Sequence, residues 1–301
     1  MAEITEQIIS AVVAACQTGA EEAAAAIARA FQQTVEIAPA QQGTLQSPTV
    51  PLDLDMIRAA SPARELVWLA SCGSTMTEAA RLARAGCAPG SVVVAEEQTA
   101  GQGRLGRAWH SEPEAGLYVT IVLRPALAEE NARVLSMALG LAVAEAIARV
   151  ADLRTDLRWP NDVLIDGKKC AGILVQAEGA AFLAGIGINV NHTSFPPPLD
   201  AIATSLRLAA GGRPQSREML LIRLLETVDS FTRMLAEGGR APILRMFARA
   251  SSMVSGKRVI VEQGDAPLEG VTDGLDSSGF LLLRLPDGSR TTILAGGVRP
   301  A

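Results

Sequence analysis

Residues 99–111 read TAGQGRLGRAWHS, and the fold turns on what kind of loop this is. Gly101, Gly103 and Gly106 spell G-x-G-x-x-G, the spacing with which a strand-to-helix turn receives a dinucleotide. Such a turn must open a helix, and an acid for the ribose must follow about twenty residues later. Here Trp109, Pro113 and Gly116 lead instead into LYVTIVLRP at 117–125, a strand with no acid in it. The G-K-S/T ending of a nucleoside-triphosphate loop is absent as well. GSVVVAEEQ at 90–98 enters the loop as a buried strand, so the segment is strand–loop–strand. Its glycines let the backbone approach a ligand, and Arg104 and Arg107 add fixed positive charge. A guanidinium suits carboxylate or phosphate because its planar fork binds two oxygens and its charge does not titrate. On its own the loop fits a hairpin with solvated arginines equally well.

Working outward, β and α patterns alternate from about Pro62. ELVWLASC (65–72) is a strand, and Thr75 with Glu78 forms a capping box for a helix ending at Gly86. NARVLSMALGLAVAEAIARV (131–150) is a long apolar helix. DLRWPNDVLIDGKKCAGILVQAEG (156–179) reads as two strands joined by a turn at Asp166-Gly167, and AAFLAGIGINVN (180–191) as another strand. SREMLLIRLLETVDSFTRMLAEGG (216–239) is a helix capped by Ser216 and stopped by glycines. After Ser255 come short strands punctuated by QGDA, DSSG and PDGS, the pattern of a small all-β module. Residues 3–33 read as one alanine-rich helix and 34–53 as a Pro/Gln-rich linker.

Composition narrows the class. The 301 residues carry a formal charge of −5, which argues against a general polyanion-binding surface while leaving room for a local basic site. No run is expected to span a bilayer. Cys16, Cys72, Cys87 and Cys170 form no C-x-x-C pair, so neither a disulfide framework nor a structural zinc site is expected, and no metal ligands are assigned. Val13-Ala14-Ala15-Cys16 has the look of a lipoprotein cleavage site. Glu3 and Glu6, however, stand where a signal peptide needs Lys or Arg, and a cytoplasmic location is expected.

Two further stretches join the loop. In RWPNDVLIDGKKCAGILV (158–175), Asn161 and Asp162 project together after a Trp-Pro pair, and the turn returns Lys168 or Lys169 beside Gly172. In GST (73–75), two hydroxyls sit at a helix start. GST, EEQTAGQGRLGRAW, RWPNDVLIDGKKCAGIL and GIGINVN, in that order and at these spacings, closely resemble the biotin protein ligases over about residues 65–300.

That resemblance implies an α+β fold: a class II synthetase-like catalytic domain with a mixed sheet and flanking helices, followed by a small SH3-like β-barrel. The domains expected are 1–60 (N-terminal helix and linker), 61–253 (catalytic) and 254–301 (SH3-like). The implied activity is an ATP-dependent biotin ligation. Biotin and MgATP form biotinyl-5′-AMP, and the biotinyl group passes to a lysine of a biotin carboxyl carrier protein. By similarity, Ser74, Thr75 and Gln98 hydrogen-bond the ureido ring. Gly101, Gly103, Arg104, Lys169 and Gly172 surround the biotin carboxylate, and Arg107 reaches the adenylate phosphate. Trp109, Asn161, Asp162 and Asn189 line the nucleotide side. Arg104, Arg107, Lys169 and Asp162 are the catalytic group, with ATP and Mg²⁺ as co-substrate and no tightly bound metal.

Gln102 departs from the family, many members of which carry Arg there, and retention of the adenylate is the property this touches. The first sixty residues do not resemble the winged helix of the repressor-type ligases, so neither DNA nor membrane is expected as a partner. Monomer and homodimer stay equally open. Lipoate or octanoate ligases and transferases are the rival enzymes, but an alkyl chain needs no polar partners whereas a ureido ring needs several. A biotin-sensing regulator is the rival of another class, and the intact Arg104, Arg107 and Lys169 favour turnover. Every motif lies beyond Ser71, so a chain starting near Pro62 is expected to keep the chemistry.

Overall fold

The structure is a computed structural model that describes residues 51–263 and 266–301. The helix read over 3–33, the linker up to residue 50 and the centre of the QGDA turn lie outside the described residues.

The β-branched runs assemble into one seven-stranded mixed sheet. Its strands are β1 (Leu66–Leu69), β2 (Val92–Ala95), β3 (Gly116–Leu123), β4 (Asp156–Arg158), β5 (Asp162–Ile165), β6 (Lys168–Glu178) and β7 (Ala181–Asn189). They lie in the order β1-β2-β3-β7-β6-β5-β4, with β1 and β2 parallel and the other pairs antiparallel. The glycine loop therefore connects two adjacent antiparallel strands, with Val92 opposite Ile121 and Ala95 opposite Tyr118. This is the strand–loop–strand arrangement its residues required.

The helices are α1 (Leu54–Ala60), α2 (Thr75–Arg84), α3 (Glu129–Ala132), α4 (Leu135–Ala151), α5 (Leu206–Ala209), α6 (Arg217–Gly238) and α7 (Arg240–Arg249). Because successive side chains on a strand face opposite ways, the fully buried β3 divides the core. Leu117, Val119, Ile121 and Leu123 join the main core with α4 and α6, while Val122 joins a smaller cluster with Ala79 and Ala83 of α2. Contrary to expectation, Glu130–Ala151 is long and apolar enough to cross a membrane, with a mean hydropathy of 1.8. It serves instead as a core helix, 67% buried within the protein.

Three elements differ from the sequence reading. α1 forms where the N-terminal extension was expected to end: Asp53 Oδ1 accepts from the backbone N of Asp55 and Met56, and Ile57 is buried. The RWPND region holds three strands rather than two, because β4 stops before Trp159-Pro160 and β5 begins only at Asp162. Proline has no N–H for the ladder. Finally, Gly239, at φ +67°, ends α6 but hands the chain to α7, which buries Ile243 and Phe247. The glycine signals the stop of one helix but not the start of the next.

The C-terminal module is a five-stranded antiparallel sheet of the SH3-like kind, in the order β11-β10-β9-β8-β12. Its strands are β8 (Ser255–Gln263), β9 (Ala266–Leu275), β10 (Leu281–Arg284), β11 (Arg290–Ile293) and β12 (Gly297–Pro300). It shares one compact unit with the large sheet, and Trp159 Nε1 donates to the Gly279 carbonyl at 2.9 Å.

Candidate active site

At one end of the sheet, α2 starts beside the strand that feeds the loop. The cap of α2 is Ser74, whose Oγ accepts from Met76 N at 3.3 Å, and not Thr75 as the capping-box reading had it. Thr75 is thereby freed for other contacts. Gln98 Oε1 accepts from Thr75 N (2.8 Å) and Thr75 Oγ1 (3.0 Å), and Thr120 Oγ1 donates to Thr75 Oγ1 at 2.8 Å. With its oxygen committed, Gln98 has its amide nitrogen to offer a ligand.

The loop folds as a hairpin. Gln102 bridges Ala108, Gly103 N donates to Arg107 O (2.7 Å), and Trp109 N donates to Gly101 O (2.9 Å). At its tip Leu105 and Gly106 hold φ of 58° and 71°. Gly101 sits in a tight spot: a Cβ there would stand 3.1 Å from Gln98 Nε2 and 3.3 Å from the Trp109 carbonyl, so a neighbour would have to give way. The Trp109 ring lies on glycines of the sheet: a Cβ on Gly187 would fall 2.5 Å from it, and one on Gly172 2.9 Å. Lys169 Nζ lies 5.3 Å from the ring centroid, within cation–π range. The buried Trp109 Nε1 has no hydrogen-bond partner among the described residues.

Fixed charge gathers where β5 and β6 pair. Asp162 Oδ1 lies 2.5 Å from Lys169 Nζ, and its Oδ2 accepts from Arg158 Nη2 at 2.7 Å. Burial raises the Asp162 carboxyl, but Lys169 and Arg158 outweigh it and hold the group below the usual carboxylate range. Arg104 Nη1 donates to Asn161 Oδ1 at 3.1 Å, and Asn161 Nδ2 in turn donates to the Ile173 carbonyl at 2.8 Å. Partial burial pulls the Arg104 guanidinium down, Asp162 pulls the other way, and Arg107 adds to the lowering. Lys168 turns to the opposite face and donates to the Asp200 carbonyl at 2.9 Å.

Two cavities meet here. The smaller, about 50 Å³, lies between Ser74, Thr75, Gln98 and the sheet glycines Gly172, Gly185 and Gly187. The larger, about 380 Å³, runs between the loop, Asp162, Asn189 and the C-terminal module. Gly103, Arg104, Trp109, Asn161 and Lys169 line both, so the two share a wall that carries two cations. Arg107 opens only onto the larger one. Gly101 touches neither, and Asn189 spends its amide on the Thr204 carbonyl at 3.0 Å. Sequence reasoning missed Arg158, although it stands at the head of RWPND. It also missed Glu262, whose Oε2 accepts from Arg107 Nη2 at 2.8 Å while Arg299 holds its other oxygen at 3.3 Å. No local pattern links Arg107 to a residue 155 positions away.

Residues 68–192 match the biotin/lipoate A/B protein ligase family, and residues 254–298 match the biotin protein ligase C-terminal domain. The biotin–[acetyl-CoA-carboxylase] ligase of Mycobacterium tuberculosis is 36% identical over 80% of this chain and 91% of its own length. The bifunctional ligase/repressor BirA of Bacillus subtilis is 33% identical over 75% of this chain and 71% of its own. Among solved structures, the Aquifex aeolicus biotin protein ligase in complex with biotin and ATP superimposes with a TM-score of 0.70 at 30% identity. It covers 79% of this chain, and 99% of its own chain is matched. In fold, in both domains and in sequence, the chain belongs to the biotin protein ligase family.

Proposed function

We propose that the chain activates biotin with MgATP and passes the biotinyl group to a lysine of a biotin carboxyl carrier protein. The observation that carries this reading is the shared wall. A small cavity with a polar head and a larger, charged cavity meet at Arg104 and Lys169. A solved relative holds biotin and ATP together.

In the first step a biotin carboxylate oxygen attacks the α-phosphorus, the new O–P bond forms, and the bond to pyrophosphate breaks. Both reactants are anionic, so fixed cations must gather them and carry the charge that develops between them. Arg104 and Lys169 stand at the junction for this. Arg107, now held by Glu262, exchanges that carboxylate for the phosphate. Mg²⁺, brought in with ATP, would offset part of the triphosphate charge that opposes the incoming carboxylate. Ser74, Thr75 and Gln98 recognise the ureido ring. This polar head is what separates the site from one built for lipoate or octanoate.

In the second step the carrier amine attacks the acyl carbon, AMP leaves with the C–O bond electrons, and the amine loses a proton. Asp162 is ionised and doubly paired, so its part is to orient the amine as an acceptor and to keep Lys169 charged. A carboxyl held low is a weak base. The test is to incubate the full chain with biotin, MgATP and a carboxylase carrier domain and weigh the carrier. A mass gain equal to one biotinyl group is expected. No gain, or a gain only from lipoate or octanoate, overturns the reading.

A further inference from the structure

His110 and His192 are the only histidines in the chain, 82 residues apart, and the fold brings them together behind the loop. Their ring centroids are 6.0 Å apart, and Phe195 stacks on His192 at 5.1 Å. Glu112 completes the group: one ligand atom from each of His110, Glu112 and His192 lies within 4.8 Å of the others. His192 is fully buried, whereas His110 and Glu112 are partly open.

Aromatic packing does not account for the polar atoms. The Tyr118 hydroxyl donates to the Glu112 carbonyl at 3.0 Å and lies 3.3 Å from His192 Nε2. With that hydrogen used, the tautomer of His192 that completes the Tyr118 contact carries its proton on Nε2, and in that tautomer Nδ1 is a bare lone pair. That Nδ1 is buried and has no hydrogen-bond partner among the described residues. The Glu112 carboxylate makes no ion pair among the described residues. Two imidazoles and a carboxylate, one imidazole neutral and unsatisfied, form the donor set of a divalent transition-metal site.

We propose that His110, Glu112 and His192 bind a divalent transition metal of the zinc type, clasping the outgoing limb of the glycine loop to the end of β7. Tetrahedral ligands at about 2.1 Å from Zn²⁺ stand roughly 3.5 Å from one another, so closure asks for shifts of roughly 1 Å. His110 and Glu112 sit, partly open, on the connecting segment between the loop and β3, so their side chains make the shift. His110 directly follows Trp109, and the intervening Ser111 Oγ accepts from Gln98 N at 2.8 Å. A metal at this point fixes the backbone from which both ligand-facing residues hang. His110 also lines the larger cavity, so the test reads metal binding directly and does not use the ligation activity.

The full chain, stripped with a chelator, is titrated with Zn²⁺ alone by calorimetry, and with Co²⁺ while the visible spectrum is followed. Wild type is expected to bind about one equivalent, with a Co²⁺ spectrum lacking thiolate charge transfer. His110→Ala and Glu112→Gln, each at a partly open position, are each expected to weaken binding about a hundredfold. Circular dichroism of both variants checks the fold, and if one fails to fold the other decides. No saturable binding by wild type, unchanged binding in a folded variant, or a thiolate spectrum pointing to Cys72 or Cys87 overturns the proposal.

Discussion

At the scale of single residues, Lys168 and Lys169 make the cleanest contrast, being chemically identical neighbours on β6 that face opposite sides of the sheet. Lys169 meets Asp162 and both cavities, whereas Lys168 holds a surface carbonyl. Lys169→Ala is expected to slow pyrophosphate release roughly a hundredfold, the usual effect of losing one donor to developing charge, about 3 kcal/mol. Lys168→Ala should change stability by no more than about 0.5 kcal/mol and leave the rate intact. The reverse ranking would put the strand one residue out of register. Asp162 yields a pH prediction. Its folded-state carboxyl is held below its unfolded value, so its stabilising contribution is complete above about pH 4 and disappears as pH falls through the lower folded value. The stability gap between wild type and Asp162→Asn should therefore be constant near neutrality and shrink below about pH 4, as urea melts at each pH would show. The lysine was legible in the sequence because strand period and family spacing agree on it. Arg158, which shares Asp162 with it, was not, since an arginine before Trp-Pro looks like any surface charge. Nor was the histidine pair, because cysteine and histidine spacing along the chain says nothing about two residues joined only by the sheet.

At the scale of elements, the loop was readable as strand–loop–strand because helix signals were missing after it, and it is built that way. What the sequence did not disclose was the floor beneath it. The resemblance put Gly172 beside the biotin carboxylate and gave Gly187 no role, whereas the two together are the seat of the Trp109 ring. Gly187→Ala would place a methyl carbon 2.5 Å from that ring, which must then move off the wall between the two cavities. Overpacking of this kind costs about 1–3 kcal/mol. A lower urea midpoint with raised KM for both biotin and ATP is expected, and wild-type values for all three would show that the ring is not seated there. The loop itself ties Arg104 to Asn161 and Arg107 to Glu262 through contacts that are partly or fully exposed. Such contacts open readily, and bound adenylate adds stronger ones. Trypsin cleavage after Arg104 or Arg107 should slow when biotin and MgATP are present, and equal rates would argue against any coupling of loop and ligand.

At the scale of the whole molecule, the core network that joins the beginning of the described chain to its middle stayed hidden. Glu96, in the EEQTAG stretch, is buried and accepts from Leu52 N (2.8 Å), Trp68 Nε1 (3.0 Å) and Arg217 Nη1 (2.5 Å). Those partners are 44, 28 and 121 positions away, beyond the reach of any periodicity. The hub changes where the chain can be shortened. The motifs alone favour a start near Pro62, but that cut removes Leu52, 6% exposed, and Ile57, 1% exposed, together with one donor to Glu96. Losing two buried aliphatic side chains costs about 3–6 kcal/mol. Against a total stability of about 5–15 kcal/mol, that is a large fraction. A chain starting at Thr49 should melt like the full-length protein and make adenylate at the same rate. A chain starting at Pro62 should melt roughly 6–24 °C lower, or fail to accumulate, although no residue of either cavity is missing. Calorimetric melting and pyrophosphate release on both truncations distinguish the cases. Equal melting of the two would mean that α1 merely rests on α6, and a Thr49 start that folds without making adenylate would mean that residues 1–48 contribute to the site.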